Sequence, residues 1–211
     1  MTRPTLEFCF DLTSLWSYLG FESLMDMKSR LDFDIVWHPV LVGAVWNANN
    51  QGAYARRVDI MSDPRRAQMA LREVGEWAKL RNADIRGMHP NHPVNAARLM
   101  RTSATALEQG KIIPFARAAF QAYWRDFADV SQAEIVLNIA AQAGLDISDL
   151  SDKMDSDVQR VQLKQDTQDL IDRGGVGTPT FFIGDDMYFG QDRLPLIEAR
   201  LKAMGALPTA D

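Results

Sequence analysis

Phe8-Cys9-Phe10-Asp11-Leu12-Thr13-Ser14-Leu15-Trp16-Ser17-Tyr18-Leu19-Gly20 is the stretch that decides how this chain folds. Phe8-Cys9-Phe10 reads as the end of a strand that begins at Thr5, with β-type residues on both sides of the alternation, as in the middle of a sheet. Ser17-Tyr18-Leu19-Gly20 reads as the first turns of a helix expected from about Ser14 to Arg30. Asp11 to Ser14 is a short polar crossing between the two. A strand that runs straight into a helix aims the helix N-terminus, with its free amides, at whatever it meets there. Ser14 is by itself a favoured helix cap.

Working outward, Phe33-Asp34-Ile35-Val36-Trp37 is a second strand, expected to stop at His38-Pro39. Strand, helix and strand in such short order make a βαβ unit with parallel strands. Helical patterns follow for over a hundred residues. Asp63-Pro64 is an N-cap with proline at the first helical position, and Ala67, Ala70, Leu71, Val74, Trp77 and Ala78 share one face behind it. Ala96, Leu99, Met100, Ser103 and Leu107 make a second amphipathic helix, and Phe115, Ala118, Ala119, Ala122 and Tyr123 a third. Ser131 to Glu134 has the form of a capping box, opening a helix that stops at Gly144. A polar helix spans about Ser156 to Arg173. Thr180 to Ile183, a Gly184-Asp185-Asp186 turn and Met187 to Phe189 form a hairpin. A last helix begins near Asp192 with Leu194, Ile197 and Leu201 inward, and the tail from Ala206 is expected to fray.

Composition bounds the possibilities. The chain has 211 residues, 46% of them apolar, enough for a substantial core. Its net charge of −5 offers no electrostatic footprint for nucleic acid or an anionic membrane. No apolar run reaches the ~20 residues of a membrane-spanning helix. The opening MTRPTLEF lacks the basic and apolar regions of a signal peptide, so a cytoplasmic protein is expected. A single cysteine, Cys9, permits no internal disulfide and no Cys-rich metal site.

The order βαβ, helical block, ββα is that of an α/β protein with a thioredoxin-like fold carrying a large inserted α-helical domain. The expected boundaries are 1–43 and 174–211 for the thioredoxin-like part and 44–155 for the insertion, with the helix 156–173 leading back. Ser14-Leu15-Trp16-Ser17 then occupies the place of the redox motif C-x-x-C. Disulfide exchange needs an attacking thiolate, so this site cannot perform it, and Cys9, inside the strand, reads as a small core residue. Gly174-Gly175-Val176-Gly177-Thr178-Pro179-Thr180 precedes the hairpin, and in that fold the Thr178–Pro179 bond is expected to be cis. Gln191 and Asp192, in Tyr188-Phe189-Gly190-Gln191-Asp192-Arg193-Leu194, are either a helix start or a grip on the charged end of a peptide-like ligand.

FDLTSLWSYLG and GVGTPTFFIGDDMYFGQDRL, with the helical block between them, resemble the 2-hydroxychromene-2-carboxylate isomerases, relatives of kappa-class glutathione transferases and of DsbA-like proteins. The resemblance spans essentially the whole chain, with the specific motifs at its two ends. It implies a glutathione-dependent enzyme of aromatic catabolism, cytoplasmic and homodimeric, acting on a small aromatic carboxylate. It implies that Ser14 supports the glutathione sulfur, that Thr178 with Pro179 pairs with the cysteinyl backbone, and that Gln191 and Asp192 receive the γ-glutamyl end. Trp16 either shields the sulfur or packs, and Ser17 is a supporting or packing residue. Asp11, whose charge would oppose a thiolate, is structural. Leu15 stands where proline commonly follows the serine, and Trp46, followed by Asn47, Asn49 and Asn50, where these isomerases place a lysine in the loop after the second strand. Met88 to Asn95 matches that family's loop before a helix facing the active site, so the resemblance makes Trp46, Asn47, His92 and Asn95 the substrate-side candidates. His89 and His92 form an H-x-x-H with no third ligand beside it, so no metal is assigned. His38 is structural. Arg56, Arg57, Arg65 and Arg66 make a small basic cluster. The other readings are a kappa-like transferase or peroxidase, and a non-catalytic module that binds thiol peptides.

Overall fold

A computed structural model describes residues 3–49 and 63–209. Asn50, Arg56 and Arg57, named above, lie outside the described residues.

Strand β1 (Thr5–Phe10) leads into helix α1 (Leu15–Arg30) and back to β2 (Asp34–Pro39). Helices α2 (Val42–Asn49), α3 (Pro64–Leu80), α4 (Ala97–Glu108), α5 (Ile112–Trp124), α6 (Ala133–Gln142), α7 (Leu150–Met154) and α8 (Asp157–Asp172) follow. Then come β3 (Thr180–Ile183), β4 (Asp186–Phe189), a 3-10 turn (Gln191–Arg193) and α9 (Leu194–Ala203). The sheet order is β2-β1-β3-β4, with β1 parallel to β2 and antiparallel to β3, and β3 antiparallel to β4. This is the thioredoxin-like α/β plan that the sequence predicts.

Central β1 sets Leu6, Phe8 and Phe10 on one face, all buried, and Thr5, Glu7 and Cys9 on the other, of which Cys9 is buried. On one face Phe8 stacks between Phe10 and Phe181, with both centroid separations 5.1 Å. There Gly20 lets α1 close on the hairpin, since a Cβ at that position would stand 3.1 Å from Pro179 Cγ. On the other face Cys9, Val40, Val45, Leu170 and Phe182 form a second buried cluster beneath α2 and α8. The larger core continues from the sheet into the helical block through Tyr18, Phe21 and Phe120 to Tyr123, Trp124 and Val136.

Several expectations are corrected. β2 pairs through His38 and Pro39, with Pro39 opposite Phe10; β2 is an edge strand, where a missing N–H costs little. The segment read as a loop after β2 is helix α2, carrying Trp46, Asn47 and Asn49. Leu71 is 53% exposed, because α3 buries only Ala78, near its C-terminal end. The capping box does not form: Asp129 accepts from both the Ser131 amide and hydroxyl (3.2 and 2.6 Å), and Gln132 stands at the cap with its side chain donating to Asp129 (3.1 Å) instead of capping the helix amides. Asp186 belongs to β4, leaving Gly184 and Asp185 as the hairpin loop, with Gly184 at φ +59°. The tail is held as far as Thr209, with Asp32 N–H donating to Leu207 O (2.8 Å) and Thr209 N–H to Arg30 O (3.1 Å).

Candidate active site

Ser14 is the N-cap of α1, with extended backbone, and its Oγ accepts from Ser17 N–H at 3.2 Å. That bond leaves the hydroxyl its one proton, which it donates to the Thr178 carbonyl at 3.3 Å. Residues 164 positions apart thus meet at the helix N-terminus. The Thr178–Pro179 bond is cis, as predicted, and Gly190 N–H donates to Pro179 O at 3.0 Å, which ties the 3-10 turn to the same loop. Thr178 and Gln191 are buried, and neither Thr178 Oγ1 nor Gln191 Oε1 has a hydrogen-bond partner among the described residues.

Asp11 is the anchor beneath this turn. One oxygen accepts from Thr13 N–H and Oγ–H (2.8 and 2.7 Å), and the other from Val42 N–H (3.0 Å) at the start of α2. Burial pushes its carboxyl above the usual range, against the pull of these three bonds. Its role is structural, as expected. Ser17 is fully buried and accepts from Asp11 N–H at 3.4 Å, so it supports the turn from behind.

Helix α2 arches over the glycine loop. Asn49 donates to Gly175 O (2.7 Å) and to Val45 O (3.1 Å), while Leu41 N–H donates to Thr167 Oγ1 (3.0 Å) on α8. Trp46, three residues before Asn49, packs on Gly177, where a Cβ would stand 3.0 Å from its Nε1. Asn47 points to the exposed side. Trp16 is half-buried and packs against the main core.

The remaining candidates have the following surroundings. Asp192 does not open the last helix: it lies exposed in the 3-10 turn, 3.3 Å from Arg193, and α9 starts at Leu194. His92 is exposed, and its Nδ1 stands 2.8 Å from the hydroxyl of buried Tyr123, whose pKa burial pushes up to about 12. Asn95 Oδ1 accepts from Ala97 N–H (3.1 Å) at the entry to α4. His89 has both ring nitrogens on backbone groups, Asn91 N–H and Ala128 O. His38 Nε2 stands 3.0 Å from Glu7. Arg65 and Arg66 are exposed, the latter 3.8 Å from Asp63. No group of three or more His, Cys, Asp or Glu able to hold a metal occurs among the described residues. Cys9 is buried, and desolvation pushes its thiol up to about 12. Asn49 as the grip on Gly175 and Asp11 as the grip on α2 escaped the sequence reading; the i, i+3 spacing of Trp46 and Asn49 was the one available signal.

The comparisons agree with this architecture. A family model described as the DSBA-like thioredoxin domain matches residues 5–202. The 2-hydroxychromene-2-carboxylate isomerase of Pseudomonas sp. (strain C18) is 24% identical over 204 residues, covering 96% of this chain and 91% of the relative. Glutathione S-transferase kappa 1 of Rattus norvegicus is 25% identical over 220 residues, covering 96% and 94%. A solved 2-hydroxychromene-2-carboxylate isomerase superposes with a TM-score of 0.79 at 21% identity, covering 95% of each chain. From its strand order to its cis-proline loop, the chain belongs to the DsbA-like thioredoxin-domain family.

Proposed function

We propose that this protein is a glutathione-dependent cis/trans isomerase of the 2-hydroxychromene-2-carboxylate isomerase type, acting on a conjugated aromatic pyruvate. The observation that carries the reading is the Ser14 hydroxyl, capping α1 with its lone pair and directing its proton to the cis-proline loop. Two orphaned buried oxygens on the residues of this loop and the 3-10 turn tied to it, Thr178 Oγ1 and Gln191 Oε1, suit a peptide-like thiol with ammonium and amide donors. In this reading Ser14 and Trp16 lie at the sulfur, Thr178 and Pro179 at the cysteinyl backbone, and Gln191 and Asp192 at the γ-glutamyl end. Bound glutathione supplies the sulfur nucleophile whose reversible addition to a conjugated C=C permits rotation about that bond.

The protein's task is to keep a thiol ionised near neutral pH. Lowering a thiol pKa of ~8.5 by one to two units takes roughly 1.4–2.7 kcal/mol in favour of the anion. The α1 N-terminus contributes on the order of 0.3–1 kcal/mol, and a hydroxyl donating to a charged acceptor about 1.5–3 kcal/mol. Ser14 redirecting its proton from Thr178 O is therefore sufficient, and no cysteine or metal is required. Trp46, Asn47, His92 and Asn95 are the proposed substrate-side contacts, in a homodimeric, cytoplasmic enzyme.

The test is a turnover measurement with glutathione limiting and trans-o-hydroxybenzylidenepyruvate in excess. Many turnovers per glutathione, with none consumed, support the isomerase. One glutathione consumed per product means the transferase that the kappa-class relative at 25% identity favours. Glutathione binding without turnover means a binding module.

A further inference from the structure

Among the described residues, Phe189 is the one aromatic among the large exposed apolar side chains, at 44% exposure. It ends β4 opposite Thr180, directly beside the cis-proline loop. A single exposed apolar side chain needs no explanation; what marks Phe189 is that it gathers with other apolar groups beside the candidate site.

Its neighbours give the ring a purpose. A Cβ at Gly177 would stand 3.1 Å from Phe189 Cε2 and 3.0 Å from Trp46 Nε1, so the two aromatic side chains converge over one residue with no side chain. Val176, beside them, is exposed as well. The corner is held from behind: Asn49 grips Gly175 O, and Thr178 O receives the Ser14 hydroxyl. Gly177 has no positive φ, so backbone conformation does not demand glycine there. What its missing side chain provides is space for the two rings.

We propose that Phe189, with Trp46, forms an aromatic corner over Gly177 that binds the flat ring of the substrate and selects planar, conjugated aromatic carboxylates. This rests on the isomerase reading for the substrate class and adds Phe189 and Gly177 as the residues that set specificity. Offset or edge-to-face packing of aromatic rings is directional and favours a planar partner over a saturated one of equal size.

The experiment is equilibrium binding of trans-o-hydroxybenzylidenepyruvate to the full chain without glutathione, followed by saturation-transfer NMR and tryptophan fluorescence. We expect Phe189→Ala to weaken binding about 3- to 10-fold, the loss of roughly one aromatic contact. Phe189→Tyr should retain it. Gly177→Ala keeps both rings but obliges them to shift, and should weaken binding to a similar degree. Equal affinity in the wild type, Phe189→Ala and Gly177→Ala, or no saturable binding by the wild type, overturns the inference. A glutathione titration of the same samples reads the glutathione proposal separately, and its failure leaves the ring result to stand or fall by itself.

Discussion

Replacing Ser14 separates the two jobs its oxygen performs. As a cap it accepts from Ser17 N–H at 3.2 Å, and as a donor it reaches Thr178 O at 3.3 Å. The first lies at the long end of the normal range and the second beyond it, so Ser14→Ala should cost stability at the lower end for a serine cap, about 0.5–1 kcal/mol. For a chain of this size that is a fall in Tm of roughly 1–4 °C. The chemical effect is larger. A hydroxyl donated to a thiolate contributes about 1.5–3 kcal/mol, so its removal should raise the pKa of bound glutathione by about 1–2 units. Ser14→Gly supplies the control, since glycine at an N-cap costs only a few tenths of a kcal/mol relative to serine while also lacking the hydroxyl. The assay is ultraviolet thiolate absorbance of bound glutathione as a function of pH, with affinity measured separately. We expect both variants to bind glutathione, both to raise its pKa, and only alanine to lower Tm appreciably. The same thiol pKa in wild type, Ser14→Ala and Ser14→Gly would refute the reasoning and leave Ser14 as a helix cap alone.

Asn49→Ala removes the 2.7 Å bond to Gly175 O; it should cost about 1 kcal/mol and speed hydrogen exchange in residues 174–178, and unchanged exchange there would show that α2 does not hold the loop. Cys9, with its thiol pushed up to about 12 by burial, should resist thiol reagents at neutral pH in the native protein and react only on unfolding; rapid native labelling would contradict its place in the core. Glu198 bonds Arg30 on α1 and Lys202 on α9, and these contacts lower its pKa to about 2. Because the folded value lies below the unfolded value of ~4.3, its stabilisation is present above that pH and is lost as pH falls toward 2. Glu198→Gln should flatten this part of the Tm–pH curve, and an unchanged curve would place the acid sensitivity elsewhere.

The strand Thr5–Phe10, the helix capped by Ser14 and the closing hairpin were legible because short-range signals agreed: an alternating run of Leu6, Phe8 and Phe10, a serine cap and a tight glycine turn. Where the reading went wrong, a partner distant in sequence or a local competitor had taken over a group. The family resemblance makes Val42 to Asn49 a loop, yet it is a helix whose first amide, that of Val42, is satisfied by Asp11 from the preceding turn. Ser131 has the letters of a capping box, but Asp129, two residues upstream, claims its hydroxyl.

At the site the division is the same. Apolar periodicity and capping chemistry, which act through burial and the nearest few residues, placed Ser14 at a helix start and Thr178 before a hairpin. That the Ser14 proton points at Thr178 across 164 residues, that Asn49 grips Gly175, and that Trp46 and Phe189 converge on Gly177 were settled by packing. Hydrogen-bond direction and ring placement between distant segments depend on how the elements dock, and local propensity carries no record of that.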